Sequence, residues 1–280
     1  SGSSIRMGSI STTTDIANLP VIKSGNVVVT NSASLSTNAA GSVGLLAQSI
    51  SGGGGYIAIT GTSSNDDIVI GSKGQFASTA GSVEVDNSAK FITTSGSYSP
   101  ALIAQSIGGG GGYGLISAGG TGTKRLGAIN NGQGSSNSGD VTVKNSAILY
   151  TKGNYSTALT AQSIGGGGGV ISAASGDLTL GTLNHRAGAS AGDLDITNTN
   201  LIQTDGDNSA AIVVQSVGSG GGYVAGASGG KATLGATNGL SDTLGTSGSI
   251  NLSSEGESIT TLGRGSTAIL AQSIGGGGGF

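Results

Sequence analysis

The sequence predicts an all-β chain that winds as a parallel β-solenoid, one unit stacked on the next. Three observations predict it. The phrase Ala-Gln-Ser-Ile, followed by a glycine run, recurs five times. Its glutamines are Gln48, Gln105, Gln162, Gln215 and Gln272, at intervals of 57, 57, 53 and 57 residues. Glycine supplies 57 of 280 residues and aromatics only 3%, so burial falls to aliphatic and alanine side chains in a thin, elongated core. Hydrophobic residues still reach 35% and gather in short Val/Ile/Leu runs, unlike those of a disordered glycine-rich chain. No stretch keeps the 3.6-residue period of an amphipathic helix beyond a turn.

Each repeat opens on a glycine and an alternating strand. The second copy reads Gly81-Ser82-Val83-Glu84-Val85-Asp86-Asn87, and the third, fourth and fifth start at Gly139, Gly192 and Gly248; the first spans Gly25 to Ala33. The period of two marks a half-buried strand, closed by an Asn or Ser turn residue. A second short strand follows, as in Ala89, Phe91 and Thr93 or Ala147, Leu149 and Thr151. The third holds the marker phrase. Leu45, Leu102, Leu159, Ile212 and Ile269 are always large and aliphatic, and Ala47, Ala104, Ala161, Val214 and Ala271 always small. These form the expected core row. Between them, Leu46, Ile103, Thr160, Val213 and Leu270 include a threonine, which predicts a position that tolerates solvent and places the glutamines on the outer side. After the glycines come an apolar pair (Ile57 and Ile59, Leu115 and Ile116, Val170 and Ile171) and a later Leu-Gly at Leu126, Leu180 and Leu234. Roughly five strands per repeat predict two or three coils per repeat, hence about 10–15 coils and a rod on the order of 50–70 Å. The chain reads as a single repeat domain over 1–280, with repeats ending near residues 56, 113, 170, 223 and 280.

The formal net charge is −3, and Lys124-Arg125 is the only adjacent basic pair. Nucleic-acid binding needs a clustered positive patch, and none is present. No apolar stretch approaches the roughly 20 residues that span a bilayer, so no membrane insertion of this segment is expected. The first residues carry no signal-peptide pattern. Cysteine is absent, which removes disulfides and thiol chemistry and fits a secreted chain.

Candidate chemistry is sparse. The glycine runs invite a phosphate cradle, but the only Gly-Gly-Lys, at Gly229-Gly230-Lys231, is followed by Ala232, and no helix follows to complete a nucleotide fingerprint. A crowded corner, or extended backbone packed closely on backbone, is the reading preferred over a phosphate site; a flexible loop is the competing one. No Gly-Gly-x-Gly-x-Asp calcium nonapeptide occurs, and Asn65-Asp66-Asp67 reads as a solvated turn rather than a cation site. Asp193 and Asp195 share a strand face, Asp205 and Asp207 flank Gly206, and the lone His185 stands beside Arg186. Such groups could serve acid–base chemistry, yet outward polar residues that keep a rod soluble explain them as well. No catalytic residue, metal or cofactor is assigned. Each marker glutamine is expected to pin the following glycine backbone, since markers two or three coils apart cannot form a contiguous amide ladder. Tyr56, Tyr113 and Tyr223 recur at one position and are expected to pack, or to stack along the rod.

The phrase Ala-Gln-Ser-Ile-Gly-Gly-Gly-Gly-Gly, with Gly-x-Val-x-Val-x-Asn upstream, resembles the passenger region of bacterial autotransporter outer-membrane proteins over about Gly25 to Phe280. The resemblance implies a right-handed parallel β-helix on a Gram-negative cell surface, often in adhesion or biofilm formation. The family's signal peptide and C-terminal membrane barrel are missing, and a chain ending at Gly279-Phe280 reads as a fragment cut at repeat boundaries. The expected role is a structural and adhesive stalk, extracellular or at the cell surface, whose partner is a glycan or protein of a host or neighbouring cell. Exposed solenoid termini also predict end-to-end self-association. The alternative is a carbohydrate-active β-helix enzyme, a polysaccharide lyase or hydrolase, with Asp193 or Asp195 close to Arg186. Ice or crystal-surface binding would need regular threonine ranks, which the scattered threonines do not supply.

Overall fold

A computed structural model describes residues 4–8, 10–12, 18–59, 67–74, 76–116, 122–129, 134–182, 188–228, 230–236 and 245–280. Among these there is no helix. The strands are short, parallel, and stacked in six sheets, five of them five strands deep and one three deep. The arrangement is solenoid-like, with successive repeats adding successive strands to the same sheets.

The entry sheet holds Val27–Asn31, Val83–Asn87, Val141–Asn145, Leu194–Asn198 and Ile250–Ser254. The second sheet holds Leu35–Thr37, Phe91–Thr94, Ile148–Thr151, Ile202–Thr204 and Ile259–Thr261. The marker sheet consists of Leu45–Ile50, Leu102–Ile107, Leu159–Ile164, Ile212–Val217 and Ile269–Ile274. The glycine sheet consists of Gly54–Ile59, Gly111–Ile116, Gly168–Ser175, Gly221–Ser228 and Gly278–Gly279. A return sheet joins Ser4–Met7, Asp67–Ile70, Lys124–Leu126, Leu178–Leu180 and Ala232–Leu234, and the small sheet joins Val21–Lys23, Ala77–Thr79 and Ser136–Asn137.

The register corrects the expected coil count. Gln48 pairs with Gln105, Gln105 with Gln162, Gln162 with Gln215, and Gln215 with Gln272. One repeat is therefore one layer, not two or three coils. Five layers at the usual strand spacing measure roughly 20 Å along the stack, not 50–70 Å. Among the described residues three repeats add a sixth strand to the five expected; it belongs to the small sheet and, at two or three residues, is too short to show a period.

The reason a whole repeat fits one layer is that both faces of two sheets are buried. Leu102, Ala104, Leu159 and Ala161 pack with Val83, Val85, Ile92 and Leu149 in a first core, as the aliphatic row predicts. The opposite face of the marker sheet carries Ile103 and Val213 into a second core with Tyr113, Leu115, Val170 and Tyr223 of the glycine sheet. The glycine sheet's far face meets the return sheet in a third, through Ile116 and Ile171 against Ile68, Ile70, Leu126 and Leu180. Each fully buried aliphatic side chain contributes about 1.5–3 kcal/mol relative to exposure. The position read as tolerant of solvent is buried: Thr160 is inaccessible, and its hydroxyl is satisfied by Thr157 Oγ1 at 2.9 Å.

The glycine runs are packed backbone, the crowded reading rather than the flexible one. Gly168 lies at φ +140°, and a Cβ there would stand 1.9 Å from the carbonyl oxygen of Gly221 in the next layer. No L-residue meets both conditions cheaply.

Candidate interaction surface

The marker glutamines are not outward. They lie on the marker-sheet face opposite Leu102 and Ala104, as alternation requires, but the second core covers that face, and Gln105, Gln162 and Gln215 are fully buried. Their amides form the contiguous ladder that the wrong coil count excluded. Gln48 Nε2 donates to Gln105 Oε1 at 2.6 Å, Gln105 to Gln162 at 2.6 Å, Gln162 to Gln215 at 2.7 Å and Gln215 to Gln272 at 2.8 Å. Every bond points the same way, so the ladder is polar. The expected pinning of glycine backbone is present as a second, longer contact in two copies. Gln162 Nε2 donates to Gly169 O at 3.4 Å and Gln215 Nε2 to Gly222 O at 3.2 Å.

Other recurring polar residues also join layers. Ser106 Oγ donates to Gly81 O and accepts from Gly139 N, both at 2.8 Å, so it ties its own layer's entry glycine to that of the next. Ser163 and Ser216 repeat the bracket. This explains why the marker phrase and the entry glycine recur together. The asparagines that close the entry strands form a second amide ladder, Asn31 to Asn87 at 2.8 Å, Asn87 to Asn145 at 2.7 Å and Asn145 to Asn198 at 2.8 Å.

The carboxylates do similar service at the rim. Asp67, Asp140, Asp177, Asp193 and Asp207 each accept a backbone N–H from the following layer, at 2.7–2.9 Å. Asp193 and Asp195 share an exposed face; Asp193 accepts from Ser249 N at 2.7 Å and Asp195 from Asn251 Nδ2 at 3.1 Å. Asp205 accepts from the Tyr150 hydroxyl and from Gln203 Nε2, the latter at 2.7 Å. The hydrogen bond to Asp205, with some burial, raises the Tyr150 pKa. His185, Arg186, Asn65 and Asp66 lie outside the described residues. Among the described residues no three His, Asp or Glu side chains gather as metal ligands. This bracketing role was not foreseen from the sequence, although the recurring Asp or Asn near the start of a strand was its signal.

The recurring tyrosines pack. Tyr56 and Tyr113 stack with centroids 5.6 Å apart, and Tyr223 stacks on Phe280 at 6.0 Å, with Val170 interrupting the column. Burial pushes the Tyr223 phenol up to about 12, and that of the inaccessible Tyr113 higher still. A second pair, Tyr98 and Tyr155, stacks at 5.0 Å from corners with φ of 59° and 57°. The corner position is glycine in the first and last layers, Gly41 and Gly265, and Asn208 in the fourth. Holding a tyrosine there costs on the order of 1–2 kcal/mol, so packing must over-determine it.

What remains outward is a set of side rows. On the entry sheet these read Val28, Glu84, Thr142, Asp195, Asn251 and Thr30, Asp86, Lys144, Thr197, Ser253, exposed or half-buried and changing from each layer to the next. Lys144 and Glu84 stand 3.9 Å apart but are well solvated, so the pair adds little. An open depression of about 430 Å³ lies at the first layer, lined by Gly41, Ser42, Val43, Leu46 and Tyr56. Compared with protein-family models, curated proteins and solved structures, the chain matches none.

Proposed function

We propose that the chain is a structural and adhesive segment of a bacterial cell-surface protein of the autotransporter passenger kind. It would wind as a right-handed parallel β-helix and present its side rows outside a Gram-negative cell. The observation that supports this best is where the recurring polar groups go. Gln, Ser, Asn and Asp side chains that could have formed a chemical site are engaged in joining layers, and the outward rows change residue from layer to layer. A surface of that kind holds a partner by many weak contacts along its length, and avidity rather than one pocket sets its affinity. The partner class is a glycan or protein of a host or neighbouring cell.

The test is a glycan-array and whole-cell binding screen run beside a polysaccharide degradation assay. Binding without turnover is the expected result. Turnover that Asp193→Ala abolishes would replace this reading with a carbohydrate-active enzyme, and absence of binding to every cell and glycan would remove the adhesive role.

A further inference from the structure

Two of the six tyrosines are held by a strained backbone in the middle of the stack. Tyr98 and Tyr155 occupy the corner between the second and marker sheets in the second and third layers, at φ of 59° and 57°, where the other layers place glycine or asparagine. The corner fixes them firmly. Tyr98 N donates to Asn154 O and Tyr155 N to Asp207 O, both at 2.8 Å, and Tyr98 O accepts from the Tyr113 hydroxyl at 3.1 Å. Their rings stack at 5.0 Å with planes 4° apart, and both side chains are half-buried. Among the described residues neither phenol hydroxyl has a hydrogen-bond partner. The remaining tyrosines are otherwise engaged. Tyr56 donates to Gly41 O, Tyr113 is inaccessible, Tyr150 donates to Asp205, and buried Tyr223 faces Phe280, which has no hydroxyl.

We propose that Tyr98 and Tyr155 are a site of oxidative cross-linking, at which a peroxidase with hydrogen peroxide joins the second layer to the third as dityrosine. Each phenol gives up one electron and one proton to become a phenoxyl radical. Hydrogen peroxide takes both electrons and both protons and becomes two waters. The radicals pair in a carbon–carbon bond between ortho carbons, and the hydrogens those carbons carried move to the two oxygens, which restores both rings. The parallel stack sets the ortho carbons within a side-chain rotation of each other, so coupling is intramolecular and at high effective concentration. The bond closes a loop of 155 − 98 = 57 residues in a chain that has no cysteine. It constrains the unfolded chain as a disulfide would. Such a staple serves the stack whatever the stack binds, so its test is independent of the adhesive role.

The experiment treats the dilute 280-residue chain with a peroxidase and hydrogen peroxide, then reads intact mass, dityrosine fluorescence and tryptic peptides. The expected product is a monomer lighter by two hydrogen atoms, in which peptide Phe91–Lys124 is joined to Gly153–Arg186. Fragmentation should place the bond at Tyr98 and Tyr155. Tyr98→Phe and Tyr155→Phe keep a stacking ring and remove the phenol, so each should lower the yield of that product at least about tenfold. Tyr56→Phe and Tyr150→Phe should leave it unchanged. Circular dichroism checks that the variants fold, and peptide mapping of the parent chain stands without them. The linked protein should also unfold at a higher urea midpoint than the unlinked one. Absence of a link, a link only between chains, a bond mapped to another tyrosine pair, or a yield that survives both substitutions overturns the proposal. A link that leaves the midpoint unchanged overturns its role as a staple.

Discussion

Replacing Gln162 by Ala removes one rung from the middle of the buried amide ladder. Gln105 Nε2 then loses its acceptor and Gln215 Oε1 its donor, in a place with no solvent to replace either. A buried polar group left unpaired costs about 1–3 kcal/mol, so the two orphans together cost about 2–6 kcal/mol, and the void left by the side chain adds to that. At Gln272, in the half-buried last layer, the same substitution orphans one donor, on Gln215, at the edge of the stack. Its cost should be nearer 1 kcal/mol. Urea unfolding of the two variants, with the slope checked for constancy, reads the difference. The middle position should lose at least about 2 kcal/mol more than the end position. Equal losses would refute the ladder and restore the simpler role in which each glutamine holds only its own glycine corner.

Two further outcomes follow from the geometry. Gly168→Ala combines a left-handed φ with a Cβ 1.9 Å from Gly221 O, Gly278→Ala has the φ without the close contact, and Gly25→Ala has neither. Unfolding midpoints should fall in that order, with Gly278→Ala costing about 1–3 kcal/mol and Gly25→Ala within about 0.5 kcal/mol of the parent. The buried Tyr223 phenol keeps its proton up to about 12, while the same group in the unfolded chain titrates near its ordinary value of 10.0. Above pH 10 the unfolded state therefore binds fewer protons than the folded one, and stability, intact below pH 10, should decline from there toward pH 12. Phenolate absorbance followed beside urea midpoints at pH 9 and 11.5 checks this, and a flat stability across that interval would contradict the burial.

The sequence made one face of the marker strand legible and concealed the other. The row of Leu102, Ala104 and their equivalents kept size and apolarity in every copy, and it is the first core. At Thr160 the side chain is polar but finds Thr157, so a hydroxyl that looked solvent-tolerant is paired and buried. The glutamines were misplaced for a related reason. A period of two says which residues share a face, not whether a second sheet covers it. The invariance of a polar residue across five copies was the stronger signal. The coil count misleads for a separate reason: about five short strands per repeat suggest two or three small coils, and only a second sheet buried on both faces lets them all lie in one layer. From its local pattern Asp193 reads as an acid or a solubilising charge, but its bond to Ser249 N depends on a layer stacked in register 56 residues on, which local pattern does not reveal.

That one repeat forms one layer is tested most directly by a single distance. Thr30, Asp86, Lys144, Thr197 and Ser253 follow one another in register along the stack. The chain has no native cysteine, so spin labels attached through Thr30→Cys and Ser253→Cys report one separation when diluted into unlabelled protein. Four layer steps predict about 19 Å, broadened by the label tethers, by double electron–electron resonance. A separation of about 40 Å or more would mean two or three coils per repeat and would contradict the stacking of whole repeats as single layers.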